Sequence, residues 1–329
     1  MELALQNLLS PMVLFFALGL MAAFAQSDLN VPESVAKLLA LYLLMVIGFK
    51  GGVQVAQNGL TFGLIATIAA GIALSFIMPV IAYALLRKMS NLSAVDAAAI
   101  AGHYGSISAV TFAAVTGSLT HLGIAYEGYM AAVAAAMETP AIFSALMLAG
   151  RNMAERNAAE RSGPLMSPNL LREVGLNGSI VMLLGSFAIG IATGDRGLTL
   201  LKPFLTDLFP GFLCLFLLDM GLVAGRGIGK GRKYLSSAVV SFAVIMPLIG
   251  AIMAAMLARL IGLSIGGTAV FMTLAASASY IAVPAAMRLA LPQANPALAL
   301  TLALGVTFPF NLIIGIPVYI AAASKIAGP

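Results

Sequence analysis

The sequence predicts an all-α polytopic membrane protein with ten transmembrane helices, built as two inverted five-helix repeats with broken helices 4 and 9. Three observations predict it. Of 329 residues, 61% are hydrophobic and only 9% are charged, far below the roughly one-quarter charged fraction of a soluble protein. Apolar runs recur along the whole chain, each long enough to cross a hydrocarbon layer about 30 Å thick as helix. Short motifs in the first half return in the same order in the second.

The expected spans are about 8-26, 34-50, 60-86, 95-119, 125-150, 176-194, 203-225, 235-261, 266-291 and 297-324. The first is not read as a signal peptide, although Ala23-Phe24-Ala25 resembles a cleavage site, because Met1-Glu2 supplies no basic n-region. The longest polar segment, 151-175, carries Arg151, Arg156, Arg161 and Arg172, and a second basic cluster holds Arg226, Lys230, Arg232 and Lys233. The positive-inside rule places both in the cytoplasm, with both termini outside. Lys37, Arg87, Lys88 and Arg288 then also fall inside, leaving only Lys50, Arg196, Lys202, Arg259 and Lys325 outside. The net charge of +5 is therefore topological and does not build a nucleic-acid surface.

Residues 1-150 form the expected first repeat, 151-175 a cytoplasmic linker and 176-329 the inverted second repeat. Ser75-Phe76-Ile77-Met78-Pro79 of the third span is echoed by Ile245-Met246-Pro247 of the eighth, and Gly48 and Gly52 by Gly221 and Gly225. Gly105-Ser106-Ile107-Ser108 matches Ala276-Ser277-Ala278-Ser279, and Thr139-Pro140 has its counterpart near Thr307 to Pro309. Each match is weak alone, since small residues are common in any helical membrane protein. Their collinearity is the stronger signal, and inverted repeats with broken helices meeting near the midplane are an architecture of secondary transporters.

The chemistry is expected at the breaks. Gly102, Gly105 and Pro284 weaken the fourth and ninth spans and Pro140 the fifth, and unwound backbone in a bilayer is tolerated where it lines a cavity. A half-helix restarting there offers free N–H groups and a positive dipole end, and Ser hydroxyls can accept from one ligand and donate to another. Gly105, Ser106, Ile107, Ser108, Ser277, Ala278 and Ser279 are accordingly the expected anion-binding set. Close helix packing is the competing reading of these small residues. None of the 17 basic residues is expected at the middle of a span, so an anion would be met by dipoles, hydroxyls and a co-bound cation. Among intramembrane acids, Glu138 beside Pro140 reads as an ion-binding or gating group, against a purely structural carboxylate. Asp219 is either a second such group or the partner of Lys50.

Cys214 stands alone, which excludes a disulfide or a C-x-x-C site, and His103 and His121 lack metal-ligand spacing. His103 reads as a hydrogen-bonded pocket residue. An intramembrane enzyme would need a nucleophile and base in reach. Only His103 and Ser106 are so spaced, with no carboxylate in the same span placed to orient the His, so an enzyme is not the expected reading. A sodium/proton antiporter would call for clustered carboxylates in the broken helices, where only Asp96 occurs.

The chain resembles the sodium-dependent bicarbonate transporters of the cyanobacterial type. The similar residues are Gly102, Gly105, Ser106, Ser108 and Thr111, then Met137-Glu138-Thr139-Pro140, and then Ala275-Ala276-Ser277, Ser279, Pro284, Arg288, Pro292 and Asn295-Pro296. The resemblance implies sodium-coupled import of bicarbonate or a similarly small monovalent anion across a bacterial plasma (inner) membrane, with Na+ as coupling ion and no cofactor. It implies a homotrimer whose core domain, holding the broken helices, moves against a scaffold domain in elevator fashion. Sodium ligands are expected at Ser108, Thr111, Glu138 and Tyr280. Three departures stand out. The family has Ser-Ser-Ser-Asp where this chain has Ser277-Ala278-Ser279-Tyr280, and apolar residues where it has His103-Tyr104. The 151-175 linker is also shorter than the family's, which counts against a cytoplasmic regulator of the PII type.

Overall fold

The computed structural model describes residues 11–59, 61–156, 178–231, 236–280, 283–284, 286–287, 291 and 293–327. The expected linker beyond residue 156, with Arg161 and Arg172, lies outside the described residues, as do Arg232, Lys233, Arg288 and Pro292. The described chain is helical, without strands: α1 (Pro11–Phe24), α2 (Glu33–Asn58), α3 (Phe62–Met89), α4 (Ala94–Gly105), α5 (Ala109–His121), α6 (Met130–Glu138) and α7 (Pro140–Arg156). After the linker come α8 (Gly178–Lys202), a π-helical turn (Pro203–Asp207), α9 (Phe209–Gly231), α10 (Ser237–Ile261), α11 (Ile265–Ala275), α12 (Pro296–Leu302) and α13 (Ile316–Ile326). Two π-helical turns, Ala303–Thr307 and Asn311–Gly315, join α12 to α13.

Eight segments among the described residues are long and apolar enough to cross a membrane, counting α4 with α5, α6 with α7 and α12 through α13 as one each. Helices α1 and α11 are apolar but shorter. Hydroxyl residues start five of the helices. Thr61, Ser93, Ser108, Ser236 and Ser264 each accept the amide three residues on, satisfying one of the N–H groups that a helix start leaves without a partner. Gly59 ends α2 and Gly262 ends α10, both at positive φ (75° and 81°), where a side chain would be strained. Helix α8 kinks at Gly194, where the sixth span was expected to end.

One boundary changes the electrostatics. The second span was expected to stop near residue 50, because Gly51-Gly52, Gln54 and Gln57 follow. Instead α2 runs to Asn58, and Gln57 donates to Asp195 of α8 at 2.5 Å. Lys50 therefore sits about 12 Å before the helix end, inside the apolar span and only partly exposed. Polar side chains do not break a helix; the turn comes only at Gly59.

Packing is organised by two glycine crossings. Where α2 meets α8, a Cβ on Gly52 would lie 2.0 Å from the carbonyl oxygen of Phe187 and 2.9 Å from the amide of Ile191, and one on Gly190 would lie 3.1 Å from the Cα of Gly52. Where α9 meets α1, a Cβ on Gly221 would lie 2.1 Å from the carbonyl oxygen of Phe16 and 2.8 Å from the amide of Leu20, and 3.1 Å from the Cα of Gly19. The two sets of partners recur at offsets of 169 to 171 residues. Such backbone-to-backbone approach is how small residues hold membrane helices together without a hydrophobic driving force between them.

The span Ala94–His121 is the most enclosed, 94% of its most apolar stretch being buried, against 17% for Val181–Asp207. Helices α4 and α5 are thus central and α8 peripheral. Around α4 pack α3 and α7, α10 lies on α3 and α11, and α13 lies on α11.

Candidate functional site

The fourth span is interrupted at Ser106-Ile107-Ser108. Ser106 (φ −93°, ψ 159°) and Ser108 (φ −106°, ψ 113°) are extended, and α5 restarts with Ser108 as its cap, the Ser108 hydroxyl accepting the Thr111 amide at 3.1 Å. The first-turn amides of Ala109 and Val110 have no intrahelical acceptor. Gly105 makes the approach possible, because a Cβ there would fall 2.3 Å from the ring of Pro79. Gly102, expected as a helix break, is corrected: the helix continues through it to Gly105, and it serves close packing against Ala145 and Met287.

In the segment expected to be the ninth span, α11 ends at Ala275 and residues 277–279 are not helical. Pro284 lies in a helical pair, Val283-Pro284, between residues outside the description. In the fifth span α6 ends at Glu138 and α7 begins at Pro140, so the discontinuity falls at Thr139.

The two interruptions are joined directly. The amide of Ser279 donates to the carbonyl of His103 at 2.8 Å, and Nδ1 of His103 lies 2.6 Å from the carbonyl of Ser279. A carbonyl only accepts, so the imidazole carries its proton on Nδ1. Ser108 donates its amide to the Ser277 hydroxyl at 2.9 Å, and that hydroxyl donates to the Leu274 carbonyl at 2.8 Å. The single hydroxyl hydrogen of Ser277 is therefore committed to the backbone, and Ser277 bridges the two breaks. The Ala276 carbonyl accepts Nδ2 of Asn311 at 2.7 Å, and Tyr319 donates to Asn311 Oδ1 at 3.0 Å. Tyr104 and Thr307 pair their hydroxyls at 2.6 Å. Asn311 and Thr307, each buried and in a π-helical turn, were not singled out as ligands from the sequence; an amide alone in an apolar span was the available signal.

With these bonds made, two enclosed side-chain atoms are left without a partner among the described residues: Ser106 Oγ and Tyr280 Oη. An unpaired buried hydroxyl costs about 1–3 kcal/mol, and native structures retain few. Tyr280 Oη approaches the Ser108 side chain without making a hydrogen bond of acceptable geometry, and its ring packs edge-on against Phe308 (6.1 Å between centroids). Ile107, Ala278 and Thr111 are buried in the same region. Glu138 is buried too, on the helix whose Met137 carbonyl accepts Ser75 Oγ at 2.6 Å, and no hydrogen bond joins its carboxylate to Ser108, Thr111 or Tyr280. Asp219 and Lys50 do not pair: Asp219 interacts with Arg226, Lys50 with Asp207 and, 5.7 Å from its centroid, the Phe209 ring. No cluster of three or more His, Cys, Asp or Glu occurs among the described residues.

A helical membrane protein whose two interrupted spans cross at a pair of unpaired hydroxyls has the makings of a carrier for a small solute. The chain matches the family model of the Na+-dependent bicarbonate transporter superfamily over residues 11–324, nearly its whole length, and belongs to that superfamily. No curated protein matches it.

Proposed function

We propose that this protein is a sodium-coupled symporter that imports bicarbonate, or a similarly small monovalent anion, by alternating access. The observation that carries this reading is the buried, unpartnered Ser106 hydroxyl beside the first turn of α5. An O–H donor and two free amides at the positive end of a helix suit an oxyanion with no basic side chain in contact. Ser106, Ile107 and Ser108 with Gly105 form one wall of the anion site, and Ala278 and Ser279 the other. Ser277 holds the two walls together.

Na+ is the co-transported substrate, with Ser108, Thr111, Tyr280 and Glu138 as its ligand set. Neutral oxygens and one carboxylate suit a hard monovalent cation, whose attraction for the anion couples the two fluxes. The chain is read as ten spans in two inverted five-helix repeats, 1-150 and 176-329. The constant offset between the two glycine crossings supports that reading. The broken helices form the core of an elevator moving against a scaffold, and the assembly is a homotrimer in a bacterial plasma membrane, both termini outside.

Uptake of radiolabelled bicarbonate into proteoliposomes, with and without an inward sodium gradient, tests this. Gradient-dependent accumulation is expected. Uptake indifferent to sodium would remove the coupling, and absence of uptake the substrate.

A further inference from the structure

A cavity with a lysine in its wall lies away from the crossing of the breaks. It measures about 220 Å³, is lined by Lys50, Gln54, Phe112, Thr120 and, from the segment between α5 and α6, Tyr126 and Gly128, and is partly open. That volume holds a small anion together with several water molecules. Since α6 and α7 together cross the membrane from this segment to the linker, the cavity opens on the face opposite the linker, which the positive-inside rule makes the external one.

Its charge is unusual. Lys50 is a cation inside an apolar span, and ionisable groups there are expensive and functional by default. No carboxylate among the described residues lies within ion-pairing distance of it; Asp207 acts on it only at longer range, and the Phe209 ring faces its ammonium. Glu127, on the same segment, is engaged elsewhere: its oxygens accept the Ser264 amide at 2.8 Å and hydroxyl at 2.9 Å. The cavity also adjoins the site already described. Phe112, which lines it, donates its amide to the Ser108 carbonyl at 2.9 Å, so one turn of α5 separates the two.

We propose that Lys50 and its cavity form an external waiting site for a small monovalent oxyanion, which is held there before it moves to the break at Ser106. This rests on the reading of the protein as an anion importer. An anion losing its water needs a fixed positive charge on its way to a site with no basic side chain in contact, and Lys50, inside the apolar span, is placed to supply it.

The test separates the two claims. Right-side-out proteoliposomes are labelled with a membrane-impermeant amine-reactive ester, and modification of Lys50 is read by peptide mass spectrometry. Labelling from outside is expected, with protection by bicarbonate and none by gluconate at equal ionic strength. Protection should persist in Ser106→Ala, whose uptake is expected to fall below a tenth of wild type, so that failed transport and a failed waiting site are distinguishable. Lys50 that is unlabelled from outside, or labelled without protection, overturns the proposal. In uptake assays Lys50→Gln should raise half-saturating bicarbonate about five- to tenfold at little-changed maximal rate. Lys50→Arg should stay near wild type; an Arg variant as impaired as the Gln one would also overturn it.

Discussion

The Ala243 carbonyl, left free in α10 because Pro247 has no N–H to offer it, accepts the hydroxyl of Thr307 at 2.8 Å. The same Thr307 oxygen meets the Tyr104 hydroxyl at 2.6 Å, so a single side chain serves a proline-freed carbonyl in one helix and a buried phenol in another. Thr307→Val keeps the shape and removes both bonds. It should lower stability by about 1–3 kcal/mol, read as a fall in melting temperature of the detergent-solubilised protein, and Thr307→Ser should recover most of the loss.

Ser106 and Ser277 should differ in what they contribute to stability despite their matched positions. Ser106 Oγ has no partner, so Ser106→Ala should leave the melting temperature unchanged or slightly raised while uptake falls below a tenth of wild type, on the scale of one lost hydrogen bond to a charged group, about 1.5–3 kcal/mol. Ser277 bridges both breaks, so Ser277→Ala should lose about 1–3 kcal/mol of stability as well as uptake. Equal melting temperatures for the two variants would contradict this division.

Tyr280 follows directly on the Ser277-Ala278-Ser279 stretch of the second break. Tyr280→Phe removes only the unpartnered hydroxyl and should leave folding intact. The half-saturating sodium concentration should rise several-fold, with half-saturating bicarbonate near wild type, in uptake measured against sodium at fixed bicarbonate. A shift confined to bicarbonate would move Tyr280 to the anion side of the site.

The glycine crossings give a graded test of packing. Gly52→Ala and Gly221→Ala each place a Cβ about 2 Å from a backbone carbonyl, so both should destabilise by about 2 kcal/mol or more, and by similar amounts. Gly185→Ala, on the same α8 but with nothing within 4 Å, should gain about 0.5–1 kcal/mol from helix propensity. Thermal melts of the three variants check the ranking.

Much of this fold is legible because the bilayer imposes a single length rule, and hydropathy reports it. The breaks are legible as well, since Gly105 and the paired Ser-x-Ser stretches interrupt otherwise apolar runs. What sequence does not carry is which polar atoms the fold itself consumes. Ser106 and Ser277 look alike in sequence, yet one is free and the other committed, because the distinction depends on a carbonyl three residues away and an amide about 170 residues away. Gly102 reads as a break and is packing, since helix-weakening residues are tolerated when neighbouring helices hold the turn. Lys50 reads as a span end, because Gly and Gln after it look like a boundary, whereas α2 keeps its hydrogen bonds for two further turns. Asn311 escapes notice because its partner, the Ala276 carbonyl, is created only by unwinding in a different span.

Lys50 and Asp219 each stand two residues before the glycine that seats their helix, Gly52 in one half and Gly221 in the other. The two positions are matched, but their charges are opposite. The two crossings are thus alike in backbone contact and opposite in charge, so that exchanging Lys50 and Asp219 would leave both crossings packed while moving the positive charge from α2 to α9.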